Sequence, residues 1–290
     1  VRILLTGAAG FIGAHVHHHL RKEHDVVVVS RRPIHALPDA VTLDLTSEAS
    51  YEALPTDIDT IVHLAQSRYH RDFPTQARDI FDVNVNATFH LAEWGRKIGI
   101  QRFVYSSSAN VYAPSVEPLV ETSPLGPDSF YGATKYAAEV LLTSYSEFFL
   151  VDVLRLFTVF GPGQSNGLIP QICERLLSGE LINLQGENGF FLSPIYVEDV
   201  AEALARVVRA PCETRPSTLN LCGGQEISVK EIAETLADLL DVRAKFATEE
   251  DAGRNFIGDS SLFGSVYRWE PETSIRQGLT NYLEWRRLEF

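Results

Sequence analysis

Tyr131 and Lys135, in the run Tyr131-Gly132-Ala133-Thr134-Lys135, stand four positions apart, so on a helix they lie one above the other. A phenol titrates near pH 10 and is a weak base at neutral pH. A neighbouring ammonium favours the phenolate, so the spacing predicts that Lys135 draws the Tyr131 pKa down toward the working range. Upstream, the hydroxyl run Ser106-Ser107-Ser108 closes the apolar stretch Arg102-Phe103-Val104-Tyr105. A strand ending in serines beside a Tyr/Lys helix can hold a substrate oxygen between two hydroxyls. Taken alone, Tyr-x-x-x-Lys reads more readily as a chance pair on an amphipathic helix, and the start of the chain has to decide.

Val1-Arg2-Ile3-Leu4-Leu5-Thr6 reads as a buried parallel strand, followed at once by Gly7-Ala8-Ala9-Gly10-Phe11-Ile12-Gly13. Glycines at this spacing let the backbone turn tightly, approach a pyrophosphate and pack the next helix on the sheet. That helix, expected from Phe11 to Lys22, aims its free N–H groups at the phosphates. A second strand over 25–29 completes the context that makes a glycine turn specific for a dinucleotide. This strand leads into Ser30-Arg31-Arg32, where an NAD site usually has an acid for the ribose 2′-hydroxyl. A serine and two arginines suit a 2′-phosphate instead, so the expected cofactor is NAD(P), with NADP favoured over NAD. The helix also carries His15, His17, His18 and His19. His15 and His19 have ligand spacing but no evident carboxylate or cysteine partner, so no metal site is expected.

Strand and helix signals then alternate: 41–43, 60–64, a long helix near 79–98, 102–107, the Tyr131 helix to about Phe149, and 151–156. Alternation at this spacing implies a parallel sheet with helices on both faces. Asp44-Leu45 and Leu64-Ala65-Gln66 fall at carboxyl ends of strands, where such sheets bind ligands. After Thr158 comes the turn-rich cluster Gly161-Pro162-Gly163-Gln164-Ser165-Asn166-Gly167. The expected fold is α/β, a Rossmann-like doubly wound parallel sheet with a smaller C-terminal α/β substrate lobe. Residues 1–164 form the dinucleotide domain, with 196–222 returning to it; 165–195 and 223–290 form the lobe.

Composition bounds the partners. The 290 residues are 45% hydrophobic and 22% charged, enough for a sizeable core, and the net charge of -13 offers no footprint for nucleic acid. No apolar run reaches membrane-spanning length. Cys173, Cys212 and Cys222 are scattered and odd in number, which suits reduced thiols in the cytoplasm.

In order along the chain, the motifs resemble an extended short-chain dehydrogenase/reductase of the nucleotide-sugar epimerase/dehydratase branch. The matching pieces are Gly7-x-x-Gly10-Phe11-Ile12-Gly13, Asp44-Leu45, His63-Leu64-Ala65, Asn84-Val85-Asn86-Ala87-Thr88, Ser106 to Tyr112, Tyr131 to Lys135 and Leu154-Arg155. Later come Gly161-Pro162-Gly163, Ile195-Tyr196-Val197-Glu198-Asp199-Val200, Asn220-Leu221-Cys222-Gly223-Gly224 and Trp269-Glu270-Pro271. The resemblance implies Ser108 as the catalytic serine, Tyr131 as the acid/base, and Lys135 as the lysine that holds the nicotinamide ribose and tunes the tyrosine. It also implies a homodimer, paired through the helices near 79–98 and 131–149.

The chain departs from the family pattern at two places. Thr158 stands where an asparagine is common, and Leu192-Ser193-Pro194 replaces Arg-Asp-aromatic, whose arginine commonly grips a diphosphate. Thr158 and Arg254 are the remaining candidates for substrate contacts beside Ser108. Ala109-Asn110 occupy the positions where 4,6-dehydratases resemble Asp-Glu, and neither residue transfers a proton, which disfavours that chemistry. Three readings remain open: a sugar-nucleotide epimerase working through a keto intermediate, an NADPH-dependent reductase of a keto-sugar or small ketone, and a non-catalytic dinucleotide-sensing scaffold.

Overall fold

The computed structural model describes residues 1–212, 217–250 and 254–289, which divide into two compact units. The first comprises Val1–Ala113, Ser123–Leu156 and Ala201–Leu219. Its strands are β1 (Arg2–Thr6), β2 (Asp25–Ser30), β3 (Val41–Thr42), β4 (Thr60–His63), β5 (Arg102–Ser108) and β6 (Leu150–Leu156). They form a seven-stranded sheet in the order Thr218–Leu221, β6, β5, β4, β1, β2, β3. The pairings from β6 through β5, β4, β1 and β2 to β3 are all parallel.

Both faces of this sheet are covered, which explains why β1 reads as a continuous apolar run rather than an alternating one. Leu4, Ile61, Phe103, Tyr105, Val151 and Val153 share a core with Leu91 and Trp94 of α3 (Ala87–Ile98) and with Ala138 and Leu142 of α4 (Phe130–Thr143). Their neighbours Ile3 and Leu5 point to the opposite face and are fully buried there, where α1 (Phe11–Leu20) packs on β1 and β2. The sheet is therefore doubly wound.

Two helices differ from their sequence expectation. The long helix near 79–98 is α2 (Ala77–Phe81), a π-helical turn over Asp82–Asn86, and then α3. Asn84 lies in the widened turn, fully buried, its Oδ1 accepting from Ser67 N at 3.0 Å and its Nδ2 donating to Thr134 Oγ1 at 3.0 Å. Those two bonds tie the segment after β4 to α4. Hydrophobic periodicity does not register a single inserted residue of this kind. The α4 helix stops at Thr143 rather than near Phe149, because the chain tightens into successive turns that lead directly into β6. Tyr145 and Phe149 stay buried there, stacked on each other at 5.8 Å, with Phe149 stacked on Phe103 at 6.0 Å.

Arg102, which the sequence offers only as the start of an apolar strand, is fully buried. Its guanidinium donates to the carbonyls of Val207, Val208, Ala210 and Pro211 and so satisfies the C-terminal end of the helix Val197–Arg209. Its charge faces Asp152 at 3.3 Å.

The second unit comprises Pro114–Thr122, Phe157–Val200 and Asn220–Phe290. Within it three short strand pairs form: Val159–Phe160 with Ile195–Tyr196 and Ile182–Gln185 with Phe246–Glu249, both parallel, and Phe191–Leu192 with Ile227–Ser228, antiparallel. Ile169, Ile172, Leu184, Leu192, Ile232, Leu236 and Leu279 share its core. The helix Val229–Leu240 starts where it does because Ser228 and Glu231 form a reciprocal capping box. Among the described residues no helix is long and apolar enough to cross a membrane.

Candidate active site

The glycine turn joins β1 to α1 as its spacing requires. Gly7 has φ of +80°, and a Cβ there would lie 2.7 Å from Ala65 N and from Leu64 C at the end of β4. A Cβ on Gly13 would lie 2.1 Å from the Gly7 carbonyl oxygen, so this residue lets α1 close onto the turn. Gly10 differs. It is exposed, and a Cβ there would meet only the Gly7 oxygen, at 3.2 Å, so its bareness leaves space outside the protein. Phe11 and Ile12 open the helix, with no side-chain cap and no acidic residue in its first turn. An uncapped N-terminus behind a bare glycine fits a pyrophosphate.

Around this turn lie the other sequence candidates from the ends of β2, β3 and β4. Ser30 Oγ accepts from Arg32 N at 3.4 Å, and Arg31 sits 4.0 Å from the Asp79 carboxylate, still about half exposed. Asp44 is turned on its own loop, accepting from Thr46 N at 3.0 Å and Thr46 Oγ1 at 2.8 Å. The Leu45 carbonyl accepts from the Tyr51 hydroxyl at 2.8 Å. Leu64 N donates to Thr6 O at 3.3 Å and Ala65 N to Thr6 Oγ1 at 3.2 Å, so β4 ends locked to β1.

Ser108 ends β5 and caps the short turn Ala109–Val111. Its Oγ accepts from Asn110 N at 3.2 Å and from Asn110 Nδ2 at 2.9 Å. An oxygen that already accepts twice offers its O–H to a substrate. Ser129 starts α4 by accepting from Gly132 N at 3.1 Å. A Cβ on Gly132 would lie 2.2 Å from the Asn110 carbonyl oxygen, so this glycine lets the Tyr131 helix lie against the turn after Ser108. Asn110 and Gly132 thus orient the site, although no motif marks either for that role.

Tyr131 is half-buried, and its hydroxyl donates to Gln66 Oε1 at 2.9 Å. Burial pushes its pKa up to about 12, and a hydrogen bond with Ser108 acts in the other direction. The expectation that Lys135 lowers Tyr131 is therefore not met, because burial outweighs any such effect. Lys135 Nζ donates to the Ser106 carbonyl at 2.8 Å and lies 5.9 Å from the centroid of the Tyr131 ring. Burial brings Lys135 itself down to about 7, with Glu139 acting against that fall.

Two histidines adjoin this pair. His63 is wholly buried between Thr6 Oγ1 at 2.7 Å and Thr88 Oγ1 at 3.1 Å, and burial, then Lys135, bring it down to about 3. His70 meets the Tyr131 ring at 5.3 Å between centroids, its pKa lowered first by burial and then by Arg71. Among the described residues no group of three or more His, Cys, Asp or Glu side chains could hold an ion. His15 instead meets Phe11 edge to face, and His19 lies 3.7 Å from Glu202.

Thr158 and Arg254 belong to the second unit. The Thr158 carbonyl accepts from Ile195 N at 2.9 Å. Arg254 lies over the Phe256 ring at 5.8 Å and, with Pro114, Gln185, Phe190 and Phe256, lines a cavity of about 470 Å³.

Known proteins are similar to this one along most of the chain. An uncharacterized UDP-glucose epimerase of Bacillus subtilis is 28% identical, over 97% of this chain and 96% of its own. The UDP-glucuronate 4-epimerase of Thermodesulfobacterium geofontis is also 28% identical, over 97% and 95%. Among solved structures, MoeE5 in complex with UDP-glucuronic acid and NAD superposes with a TM-score of 0.87 at 30% identity, covering both chains completely. The model of the NAD dependent epimerase/dehydratase family matches residues 3–222. With its strand–glycine–helix turn, its Ser/Tyr/Lys set and this match, the chain belongs to the NAD dependent epimerase/dehydratase family.

Proposed function

We propose that the protein epimerises a nucleotide sugar, oxidising one carbinol carbon to a ketone and reducing it again on the other face. The observation that carries this reading is the convergence, in one unit and at the carboxyl ends of the strands, of a pre-oriented Ser108 hydroxyl, the Tyr131 phenol and the buried Lys135. The bound NAD(P), held by the Gly7–Gly13 turn and by Lys135, would supply the ring that takes and returns a hydride, and in its oxidised form a positive charge.

The rest is done by the chain's own groups. In oxidation the substrate O–H proton passes to the Tyr131 oxygen as the C–H bond breaks; in reduction the same proton returns to the substrate oxygen. Ser108, its oxygen fixed by Asn110, donates to the substrate oxygen as charge develops on it. With its pKa at about 12, Tyr131 rests as the phenol and is set for the reductive direction. Oxidation therefore requires positive charge beside it, which links proton removal to cofactor loading and to the charge on Lys135. The relatives' names point to a UDP sugar, and the Arg254 cavity with its two phenylalanines offers a cation and apolar faces of the kind a nucleoside diphosphate needs.

For the cofactor, Ser30, Arg31 and Arg32 support NADP over NAD, because β2 ends in Ser30 rather than in an acidic residue that would reject a 2′-phosphate. MoeE5 holds NAD, and Asp79 shares Arg31, so the test has to separate the two cofactors. Mass spectrometry of small molecules released from the purified protein is expected to show NADP, retained because an epimerase recycles its nicotinamide. A screen of nucleotide sugars should then give interconversion without net cofactor turnover. Tighter binding of NAD by the unmodified protein would remove the NADP preference. Stoichiometric cofactor consumption would replace the epimerase with the reductase.

The protein is proposed to work as a cytoplasmic homodimer. Its three cysteines are free thiols, which suits a reducing compartment. Phe81, Phe89, Val140 and Phe148, on or beside α2, α3 and α4, leave large apolar side chains in water. Light scattering at micromolar concentration should give twice the chain mass, and Phe89→Asp with Val140→Asp should return a monomer. A monomeric unmodified protein would end the idea.

A further inference from the structure

The face of α4 that carries Tyr131 and Lys135 continues one turn to Glu139, placing three functional side chains at i, i+4 and i+8. Glu139 is only 6% exposed. Arg155 grips its carboxylate with two prongs, Nε to Oε1 at 3.1 Å and Nη2 to Oε2 at 2.7 Å, and the Ser107 hydroxyl donates to Oε1. Arg155, itself buried on β6, also donates from Nη1 to the Tyr112 hydroxyl at 3.0 Å. Two-pronged guanidinium contact is the geometry of an ionised carboxylate. Such a buried cluster is costly for a fold, since apolar residues of similar volume could hold helix to sheet as well. The proton transfers proposed for Ser108 and Tyr131 do not use it.

Lys135 is the group beside it with a charge to stabilise. It is 1% exposed, and its one hydrogen bond is to the Ser106 carbonyl, with the Tyr105 and Tyr131 rings at 4.9 and 5.9 Å. Neutral dipoles and ring faces alone compensate poorly for an ammonium taken out of water. The groups facing it are Tyr105 from β5, neutral His63 from β4, His70 from the segment after β4, and Tyr131 and Glu139 from its own helix, with Arg155 of β6 behind Glu139. Among these described residues Glu139 alone brings a negative charge. It makes no direct bond to Lys135, so it acts through space across one helical turn.

We propose that Glu139, fixed by Arg155 and Ser107, is a positioning residue whose charge favours the ammonium form of Lys135. The inference deepens the role given to Lys135 above and rests on that reading only for its effect on turnover. Glu139 acts against the fall that burial imposes on Lys135, so removing its charge lets the ammonium lose its proton at lower pH. In an active preparation, the alkaline limb of the activity profile moves to lower pH in the same variant.

The deciding experiment needs neither cofactor nor substrate, so its failure is separate from failure of the proposed reaction. The chain has five lysines, and the Lys135 resonance in protein labelled with ¹³C at lysine Cε is identified by its loss in Lys135→Met. Its titration midpoint in the unmodified protein should lie near neutral pH. Glu139→Gln should lower that midpoint by about one pH unit or more. If that variant fails to fold because Arg155 is left unpaired, Glu139→Gln with Arg155→Gln replaces the ion pair by an amide pair. The midpoint should still fall in the double variant, by less, since the more distant guanidinium is removed with the carboxylate. An unchanged or raised midpoint in whichever of these folds overturns the proposal.

Discussion

Tyr131→Phe should abolish most turnover while the protein stays folded and continues to bind cofactor. In the proposed mechanism this hydroxyl exchanges a proton with the substrate oxygen, and within the chain it donates to Gln66 Oε1 at 2.9 Å. Removing it leaves the ring and its contact with His70 in place, so packing loses little. General acid–base help is worth about 100- to 10,000-fold, so turnover should fall by at least about two orders of magnitude, with the Michaelis constant changing less. Ser108→Ala should be milder, because the phenol still reaches the substrate oxygen. Lys135→Ala should push the activity profile to higher pH, since the positive charge that the proposed oxidation needs beside a phenol raised to about 12 by burial would then come from the cofactor alone. Turnover and melting temperature read on the same preparations separate chemistry from packing. Full activity in a folded Tyr131→Phe protein would sink the mechanism.

How the charge at this site is balanced was the part least legible in the sequence. Tyr131 and Lys135 could be paired from their spacing, but the sign of the tyrosine's shift could not. It depends on how much water each group loses and on where Lys135 Nζ points, and the Ser106 carbonyl takes that ammonium. Glu139 and Arg155 are ordinary charged residues in sequence, sixteen positions apart. Only the adjacency of α4 to β5 and β6 makes them a buried pair. By contrast, β1 and the glycine turn were readable outright, since a strand covered on both faces needs an unbroken apolar run and the turn needs bare backbone. The π-helical turn at Asp82–Asn86 and the early stop of α4 were hidden for a common reason. Both come from tertiary bonds, Asn84 to Thr134 and the stack of Phe103, Tyr145 and Phe149, rather than from local propensity. The buried role of Arg102 could not be read from the strand it starts, because its four carbonyl partners lie about a hundred residues further on.

The glycine turn gives the other large effect, and two of its glycines should fail in different ways. Gly10→Leu is expected to leave the fold intact: the residue is exposed, its φ of -89° and ψ of 170° are open to any side chain, and the new Cβ meets only the Gly7 oxygen at 3.2 Å. The added side chain should instead occupy the approach to the free N–H groups of α1, where a pyrophosphate would lie. Overpacking costs about 1–3 kcal/mol even where neighbours can move, and a backbone turn moves little, so cofactor binding should weaken by about 100-fold or more. Gly13→Ala places its Cβ 2.1 Å from the Gly7 carbonyl oxygen, a backbone atom, and should lower the melting temperature as well as the affinity. A turn that merely connects β1 to α1 would predict the reverse for Gly10, with stability touched and affinity untouched. Titrating NAD and NADP into both variants beside a thermal melt distinguishes the two. Unchanged affinity for both cofactors in folded Gly10→Leu would remove the dinucleotide from this turn.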